Sequence, residues 1–253
     1  MRKFIPFSLF CILSLGFSSS LIAESPLASD QLHEPFSQLL AETVDNGHVD
    51  YSKIKGDVRF GNYLKALQQT RPENYATQEE KLAFWINAYN ALAIKGIIDG
   101  LSPSSFFGRV SYFKTTDYEV AGKSINLYDL ERDIIIPFDE PRIHFAIVCA
   151  SYSCPKLRAE AYLADTLEAQ LEDNAIDFLN DPVKNSFDVK KKRANLSKIF
   201  DWFEKDFKSH SGSVQKYVAQ FVKDNGIKSA LMNEDYKVKH LKYQWTLNGS
   251  LDN

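Results

Sequence analysis

From Thr77 to Ile98 the chain carries an apolar pattern with almost no polar face: Leu82, Ala83, Phe84, Trp85, Ile86, Ala88, Tyr89, Ala91, Leu92 and Ala93 leave no stripe for water. A helix that is apolar all round is buried, so the rest of the fold must wrap this segment. Thr77 followed by Glu80 is a capping-box pattern that opens the helix, and Gly100 and Pro103 close it. Asn87 and Asn90 lie three apart and so fall on one side of it. In apolar surroundings each amide costs free energy unless it finds partners. They either brace a loop or line a site, and the brace is the simpler expectation.

Around this segment the periodicity changes several times. A first helix from about Gln31 buries Phe36, Leu39, Leu40 and Val44 at helical spacing, and Gly47-His48-Val49-Asp50-Tyr51 breaks it. Tyr118-Glu119-Val120 and Ser124-Ile125-Asn126 flank Ala121-Gly122-Lys123 as a hairpin, and Asn126 is positioned to cap a helix from Leu127 to Ile136. The run Ile143 to Ala150 reads as a strand. An amphipathic helix follows with Leu167, Leu171, Ala175 and Phe178 on one face, ended by Pro182. Ser197 to Phe207 and Ser213 to Lys223 read as two more helices, the last closed by Gly226. Leu241, Tyr243, Trp245 and Leu247 alternate with polar residues as a half-buried final strand. Strands and helices that do not alternate regularly predict an α+β fold. The expected architecture is a single domain with a central buried helix, a small mostly antiparallel sheet and several surrounding amphipathic helices.

The N-terminus reads as a secretory signal peptide over residues 1–23. Arg2 and Lys3 precede an apolar run from Phe4 to Phe17, and Ser18-Ser19-Ser20-Leu21-Ile22-Ala23 is a small-residue exit. The run is shorter than the roughly 18–20 apolar residues of a spanning helix, so cleavage before Glu24 is expected rather than a stable membrane anchor. Cys11 leaves with this leader; Phe10 before it does not fit a lipoprotein. The remaining residues 24–253 have no linker-like tract and fit one domain, periplasmic or secreted. Losing Arg2 and Lys3 moves the formal charge from −3 to −5. Such a balance disfavours nucleic acid as a partner. The one basic cluster, Lys190-Lys191-Lys192-Arg193, sits between the short strands Phe187-Asp188-Val189 and Ala194-Asn195-Leu196 and reads as a solvated hairpin tip.

Several of these segments occur together in one order. Phe84-Trp85-Ile86-Asn87-Ala88-Tyr89-Asn90-Ala91-Leu92, Leu127-Tyr128-Asp129-Leu130-Glu131, the segment Asp139 to Pro155, Leu196-Ser197-Lys198-Ile199-Phe200 and Tyr243-Gln244-Trp245-Thr246-Leu247-Asn248 resemble the DUF547 family. The resemblance spans nearly all of residues 24–253, and the family is named for having no established function. In many relatives the Leu-x-Asp-x-Glu element continues into histidine; here that position is Arg132.

Asp139 to Pro155 concentrates the chemistry, because it leads Arg142 and His144 into Cys149 and Cys154, the two cysteines beyond the leader. On a strand, Arg142, His144, Ala146 and Val148 share one face and Ile143, Phe145, Ile147 and Cys149 the other. Cys149 is then expected as a buried small hydrophobe and Cys154 as a thiol in an exposed loop. His144 is the candidate base that would favour a nucleophilic thiolate, with Glu131, Asp129 or Asn87 as orienting groups. Pro155 removes the backbone N–H after Cys154, which leaves Cys154's own N–H for an oxyanion hole. In an oxidising compartment the pair can instead form a disulfide, if the Cα atoms lie within about 7 Å. Closing so short a loop contributes about 2 kcal/mol in the chain-entropy account. A redox-active pair is a further alternative. Zinc is the weakest reading, since only His144 is near and no second Cys or His pair completes a tetrahedron.

Of the other histidines, His33, His210 and His240 read as packing or surface residues, and His48 lies in a loop. Asp129 and Glu131, two apart on a helix, point in different directions, so they are expected to balance helix-start charge or pair with Arg142 rather than share a proton. The leading expectation is a thiol-dependent hydrolase or acyl-transfer enzyme with Cys154 as nucleophile, His144 as base, and Asn87 and Glu131 in support. The alternative is a non-catalytic envelope module stabilised by Cys149–Cys154 that binds a small-molecule, peptide or glycan ligand through its aromatic surface. Thiol redox is the third. No cofactor or metal is expected.

Overall fold

The Thr77 hydroxyl accepts from the Glu80 N–H at 3.1 Å, and the Glu80 carboxylate accepts from the Thr77 N–H at 2.9 Å. This capping box starts a helix from Gln78 to Ile98 in which every residue from Leu82 through Ile94 is buried. The structure, a computed structural model, describes Met1 and residues 29–252. The expected signal peptide beyond Met1, with Cys11 and the cleavage point before Glu24, lies outside the described residues.

In chain order the helices are α1 (Ser29–Thr43), α2 (Tyr51–Ile54), α3 (Val58–Gln69), α4 (Gln78–Ile98), α5 (Phe106–Val110), α6 (Leu127–Asp129), α7 (Leu167–Asn180), α8 (Ile199–Trp202), α9 (Glu204–Ser211), α10 (Val214–Phe221) and α11 (Asn225–Met232). The strands are β1 (Val44–Asp45), β2 (His48–Asp50), β3 (Tyr118–Val120), β4 (Lys123–Ile125), β5 (Ser186–Asp188), β6 (Arg193–Leu196), β7 (Lys237–His240) and β8 (Gly249–Ser250). They form three small sheets, β1-β2-β8, β3-β4 and β5-β6-β7. The β2–β8 and β6–β7 pairings are parallel and the other three antiparallel. This is an α+β domain with α4 at its centre. Its apolar interior has two parts, one around α4 and one around α7 and α10, and Phe145 belongs to the second while its neighbours Ile143 and Ala146 belong to the first.

Asn87 and Asn90 are braces. The Asn87 amide donates to the Tyr162 carbonyl at 2.7 Å and accepts from the Tyr162 N–H at 2.8 Å. Asn90 donates to the Ala146 carbonyl at 3.0 Å and accepts from the Val148 N–H at 2.8 Å. Each amide does for a loop what a neighbouring strand would do, satisfying one backbone donor and one acceptor that have no other route out of the core. His33 packs in the interior with Nδ1 2.7 Å from the Tyr63 hydroxyl, and burial holds its pKa down at about 3.

The expected strand Ile143–Ala150 is absent. Pro141–Phe145 is a 3₁₀ helix, capped by the Glu140 carboxylate accepting from the Arg142 N–H at 3.0 Å, and the chain then turns. A short, mostly apolar run cannot declare its period, and here the Glu140 cap and Pro141 at the first turn decide it. The first hairpin is one residue tighter than expected, because Ala121 and Gly122 both take positive φ and make a two-residue turn between Val120 and Lys123. Asn126 caps as expected, but Leu127–Ile136 divides into α6, a π turn and a 3₁₀ turn. Ser197–Phe207 breaks at Phe203 into α8 and α9, and Gly226 falls inside α11 instead of ending a helix, since Asp224 caps a new one.

The expected final strand, Leu241–Leu247, forms only in part. Tyr243 and Trp245 are half-buried while Lys242, Gln244 and Thr246 are exposed, so the alternation is real, but the segment makes only an isolated antiparallel bridge, Leu247 with Ser151, and joins no sheet. Their backbone is held by a turn instead: Tyr152 N–H donates to Thr246 at 2.7 Å, Ser153 N–H to Gln244 at 3.2 Å, and Asn248 N–H to Ala150 at 3.2 Å. Period-two burial needs only an extended chain over an apolar surface, and that is what the turn supplies.

Candidate functional site

A cavity of about 400 Å³ opens between α4, the Leu127–Ile135 segment, the cysteine turn and the C-terminal segment. Its lining is mostly apolar and aromatic. Tyr243 lies 4.5 Å from Trp245 and 4.8 Å from Trp202 between ring centres, and Trp202 stacks on Trp245 at 5.8 Å. Phe203 stacks on His144 at 3.9 Å. Three cations complete the wall. Arg109 lies over Trp245 at 4.9 Å, Lys114 over Tyr128 at 4.2 Å, and Arg132 over both Tyr128 and Phe203 at 5.3 Å. Among the described residues none of the three has a carboxylate within 4.0 Å.

Glu131 and His144 face this cavity. Glu131 is half-buried and lines the cavity. Burial pushes its pKa up to about 7; the nearby Asp206 charge adds to the rise, and Arg132 opposes it. A carboxyl that ordinarily ionises near 4.5 is thus half-protonated at neutral pH. His144 is buried, and its Nε2 lies 3.0 Å from the Asp206 carboxylate. Burial lowers its pKa, while the hydrogen bond and charge of Asp206 work the other way. Asp206 itself is held below the usual carboxylate range, chiefly by that hydrogen bond. The ionised Asp206 accepts, so Nε2 carries the proton of a neutral ring and Nδ1 is left as the lone-pair nitrogen. Nδ1 is buried and has no hydrogen-bond partner among the described residues.

Cys149 and Cys154 are at disulfide distance, with sulfurs 2.07 Å and Cα atoms 6.2 Å apart. The expected burial is reversed: Cys154 is buried at 4% exposure and Cys149 is half-buried, packed at the edge of the interior. The reason is the missing strand, since a 3₁₀ helix followed by a turn does not alternate faces. For the same reason the expected separation of His144 from Cys149 fails, and both line one cavity. The Cys154 N–H donates to the Ser151 carbonyl at 3.0 Å, so the one N–H that Pro155 leaves for an oxyanion hole is already engaged. Cys154 Sγ accepts from the Cys149 N–H at 2.9 Å and from the Tyr243 hydroxyl at 3.2 Å. That hydroxyl is also 3.1 Å from Cys149 Sγ, and burial pushes its pKa up.

Of the candidate residues, Cys154, His144 and Glu131 meet at the cavity, and Asn87 does not, being engaged with Tyr162. Asp129 is part of the helix cap, accepting from the Asn126 amide at 2.7 Å. Arg142 pairs with Glu140 at 2.6 Å and Glu168 at 2.7 Å, not with Asp129 or Glu131. His210 and His240 sit near Asp139 and Asp201 at 3.9 and 3.6 Å, and His48 is exposed in β2. Asp206 and the Tyr243 hydroxyl escape a reading of the sequence: nothing local marks an aspartate 62 residues beyond His144 as its partner. The alternation at Tyr243 and Trp245 is the one available signal, and it says only that these rings face inward. Among the described residues no cluster of three or more His, Cys, Asp or Glu side chains could hold a metal ion, and no helix is long and apolar enough to cross a membrane.

Residues 72–179 match the family model described as protein of unknown function, DUF547. No curated protein and no solved structure matches the chain. The matched stretch takes in α4 with both of its asparagines, Glu131, His144 and the cysteine turn, and it ends before Phe203, Asp206, Tyr243 and Trp245. It is therefore the centre of the fold and one wall of the cavity that identify the chain, which carries a DUF547 domain over residues 72–179.

Proposed function

We propose that this protein is a small-molecule-binding module whose cavity takes an amphipathic organic anion, with the apolar body against the aromatic wall and the anionic group among Arg109, Lys114 and Arg132. The observation that carries the reading is the set of three cations held over ring faces, with no carboxylate partner among the described residues, beside a largely apolar cavity. Binding sites of this kind are concave and mostly apolar, with a few placed polar groups that orient the ligand. A thiol-dependent hydrolase is less well supported. It needs a free thiolate and an oxyanion donor, whereas the two sulfurs are joined and the Cys154 N–H is bonded to Ser151.

Glu131 sets the pH dependence. Below about pH 7 it is neutral, and above that it places a negative charge in the cavity that repels the anion. A like charge at this range in a partly desolvated site weakens binding roughly three- to tenfold. Calorimetric titration with 1-naphthoate and with its neutral amide is the test. The carboxylate is expected to bind more tightly than the amide, more tightly at pH 6 than at pH 8, and in Glu131→Gln equally at both. Lys114→Ala with Arg132→Ala should remove the preference for the carboxylate. Equal affinity for the two probes in wild type would sink the reading.

Export belongs to the same proposal, supported by the three-part leader and by a disulfide-distance pair that persists best in an oxidising compartment. The protein recovered from the cell envelope should have an intact mass that begins near Glu24. Recovery of the full-length chain in the membrane fraction would contradict this.

A further inference from the structure

The Cys149–Cys154 pair is built into the cavity wall in a way that a merely structural cross-link does not require. Both residues line the cavity, and Cys149 keeps part of its surface exposed. Hydrogen-bond donors converge on Cys154. Its Sγ accepts from the Cys149 N–H at 2.9 Å and from the Tyr243 hydroxyl at 3.2 Å, and the Tyr243 oxygen, 3.1 Å from Cys149 Sγ, accepts in turn from the Ser151 hydroxyl at 3.2 Å. Disulfide sulfur is a weak acceptor, so these donors do little for the oxidised form, whereas hydrogen bonds to a thiolate favour it strongly.

The turn is also held without the S–S bond. The Cys154 N–H bonds to Ser151, and residues 150–153 are tied to the C-terminal segment by the Tyr152–Thr246, Ser153–Gln244 and Ala150–Asn248 backbone bonds. The Ser153 hydroxyl accepts a further bond from the Gln244 N–H at 2.9 Å. The two cysteines are five residues apart, so the disulfide constrains the unfolded chain less than one closing a long loop would. These bonds hold the backbone of the turn independently of the S–S link.

From this geometry we infer that Cys149–Cys154 is a redox-active disulfide that exchanges with a thiol small enough to enter the cavity. The thiolate of the reactant attacks Cys149 Sγ, the more exposed sulfur, and forms a mixed disulfide with it. The Sγ–Sγ bond breaks and its electron pair stays on Cys154 Sγ, where the Cys149 N–H and the Tyr243 O–H stabilise the thiolate. A second reactant thiolate then attacks the reactant sulfur of the mixed disulfide and releases Cys149. Two thiols have become one disulfide, and the protein has gained two electrons and, from the two thiols, two protons. Glu131 lines the same cavity and titrates near neutrality, so it can accept one of these protons. Tyr243 acts as a positioning residue that improves Cys154 as the leaving group.

The exchange depends on the sulfurs and not on anion binding, so uncharged dithiothreitol tests it separately. Native protein, folded at neutral pH, is treated with dithiothreitol and the thiols are counted by maleimide mass shift. Reduction is expected without loss of the thermal unfolding transition, and oxidation should reverse it. Thiolate absorbance near 240 nm in the reduced protein should rise at lower pH in wild type than in Tyr243→Phe. The same variant should be reduced more slowly, since a more basic leaving thiol departs more slowly. Reduced glutathione and a short peptide with two cysteines separate the sources of thiol. Faster reduction by glutathione identifies a low-molecular-weight thiol, and faster reduction by the peptide identifies a cysteinyl side chain. The inference is overturned if the pair is reduced only when the protein unfolds, if reduction abolishes the folded transition, or if Tyr243→Phe changes neither the rate nor the thiolate titration.

Discussion

Replacing Asn87 with leucine is expected to destabilise the protein by about 2–6 kcal/mol, because the side chain satisfies two buried backbone groups and each one left unpaired costs about 1–3 kcal/mol. The Tyr162 N–H and carbonyl bond to Asn87 at 2.8 and 2.7 Å, and Asn87 is 1% exposed, so water cannot take its place. Asn90→Leu should cost a similar amount through Ala146 and Val148, with one difference in consequence. Val148 lies next to Cys149, so the second substitution should also loosen the cysteine turn, whereas the first should act on stability alone. Urea unfolding of the two variants measures the cost. A loss below about 0.5 kcal/mol in both would mean that the loops find other partners and that α4 does not brace them.

Glu131→Gln is expected to raise stability at pH 8 by about 1–3 kcal/mol and to leave it nearly unchanged at pH 4. Burial moves the folded-state pKa of this carboxyl from the ordinary 4.5 up to about 7. Below 4.5 the folded and unfolded chains are both protonated there, and the side chain favours neither. Between 4.5 and 7 the unfolded chain ionises while the folded chain holds its proton, so stability falls steadily as pH rises through this window. Above 7 the full cost of a charge in the cavity is present. The partial exposure of Glu131 to the cavity keeps that cost below the value of the whole shift. A glutamine at this position cannot ionise, so the variant should lose the slope between pH 4.5 and 7. Chemical denaturation at pH 4, 6 and 8 tests the point, and parallel pH profiles for wild type and variant would place Glu131 in contact with bulk water.

These two side chains differ in how far the sequence announces them. Asn87 and Asn90 are polar positions in a helix that otherwise has no polar face, so their burial follows from pattern alone. Glu131 is legible as a candidate group beside Asp129, but its altered acidity depends on its burial in the folded chain and on the Asp206 charge brought near it, neither of which is local in sequence. The Cys149–Cys154 pairing is an open alternative at a separation of five. Which sulfur faces the cavity comes out opposite to expectation, because a strand assignment fixes faces two by two and one wrong element reverses them all.

What the sequence determined by itself is what a few neighbouring residues decide. Thr77 and Glu80 lie one turn apart and close a capping box whatever surrounds them, the apolar residues of α4 require burial from any direction, and Asn126 caps the helix that follows it. Only the tertiary structure decided the site. Asp206 reaches His144 across 62 residues and Tyr243 reaches Cys154 across 89, and these encounters depend on two apolar clusters packing together through Pro141–Phe145. Packing is non-directional and sums over many side chains, so no short motif encodes which polar groups it brings face to face.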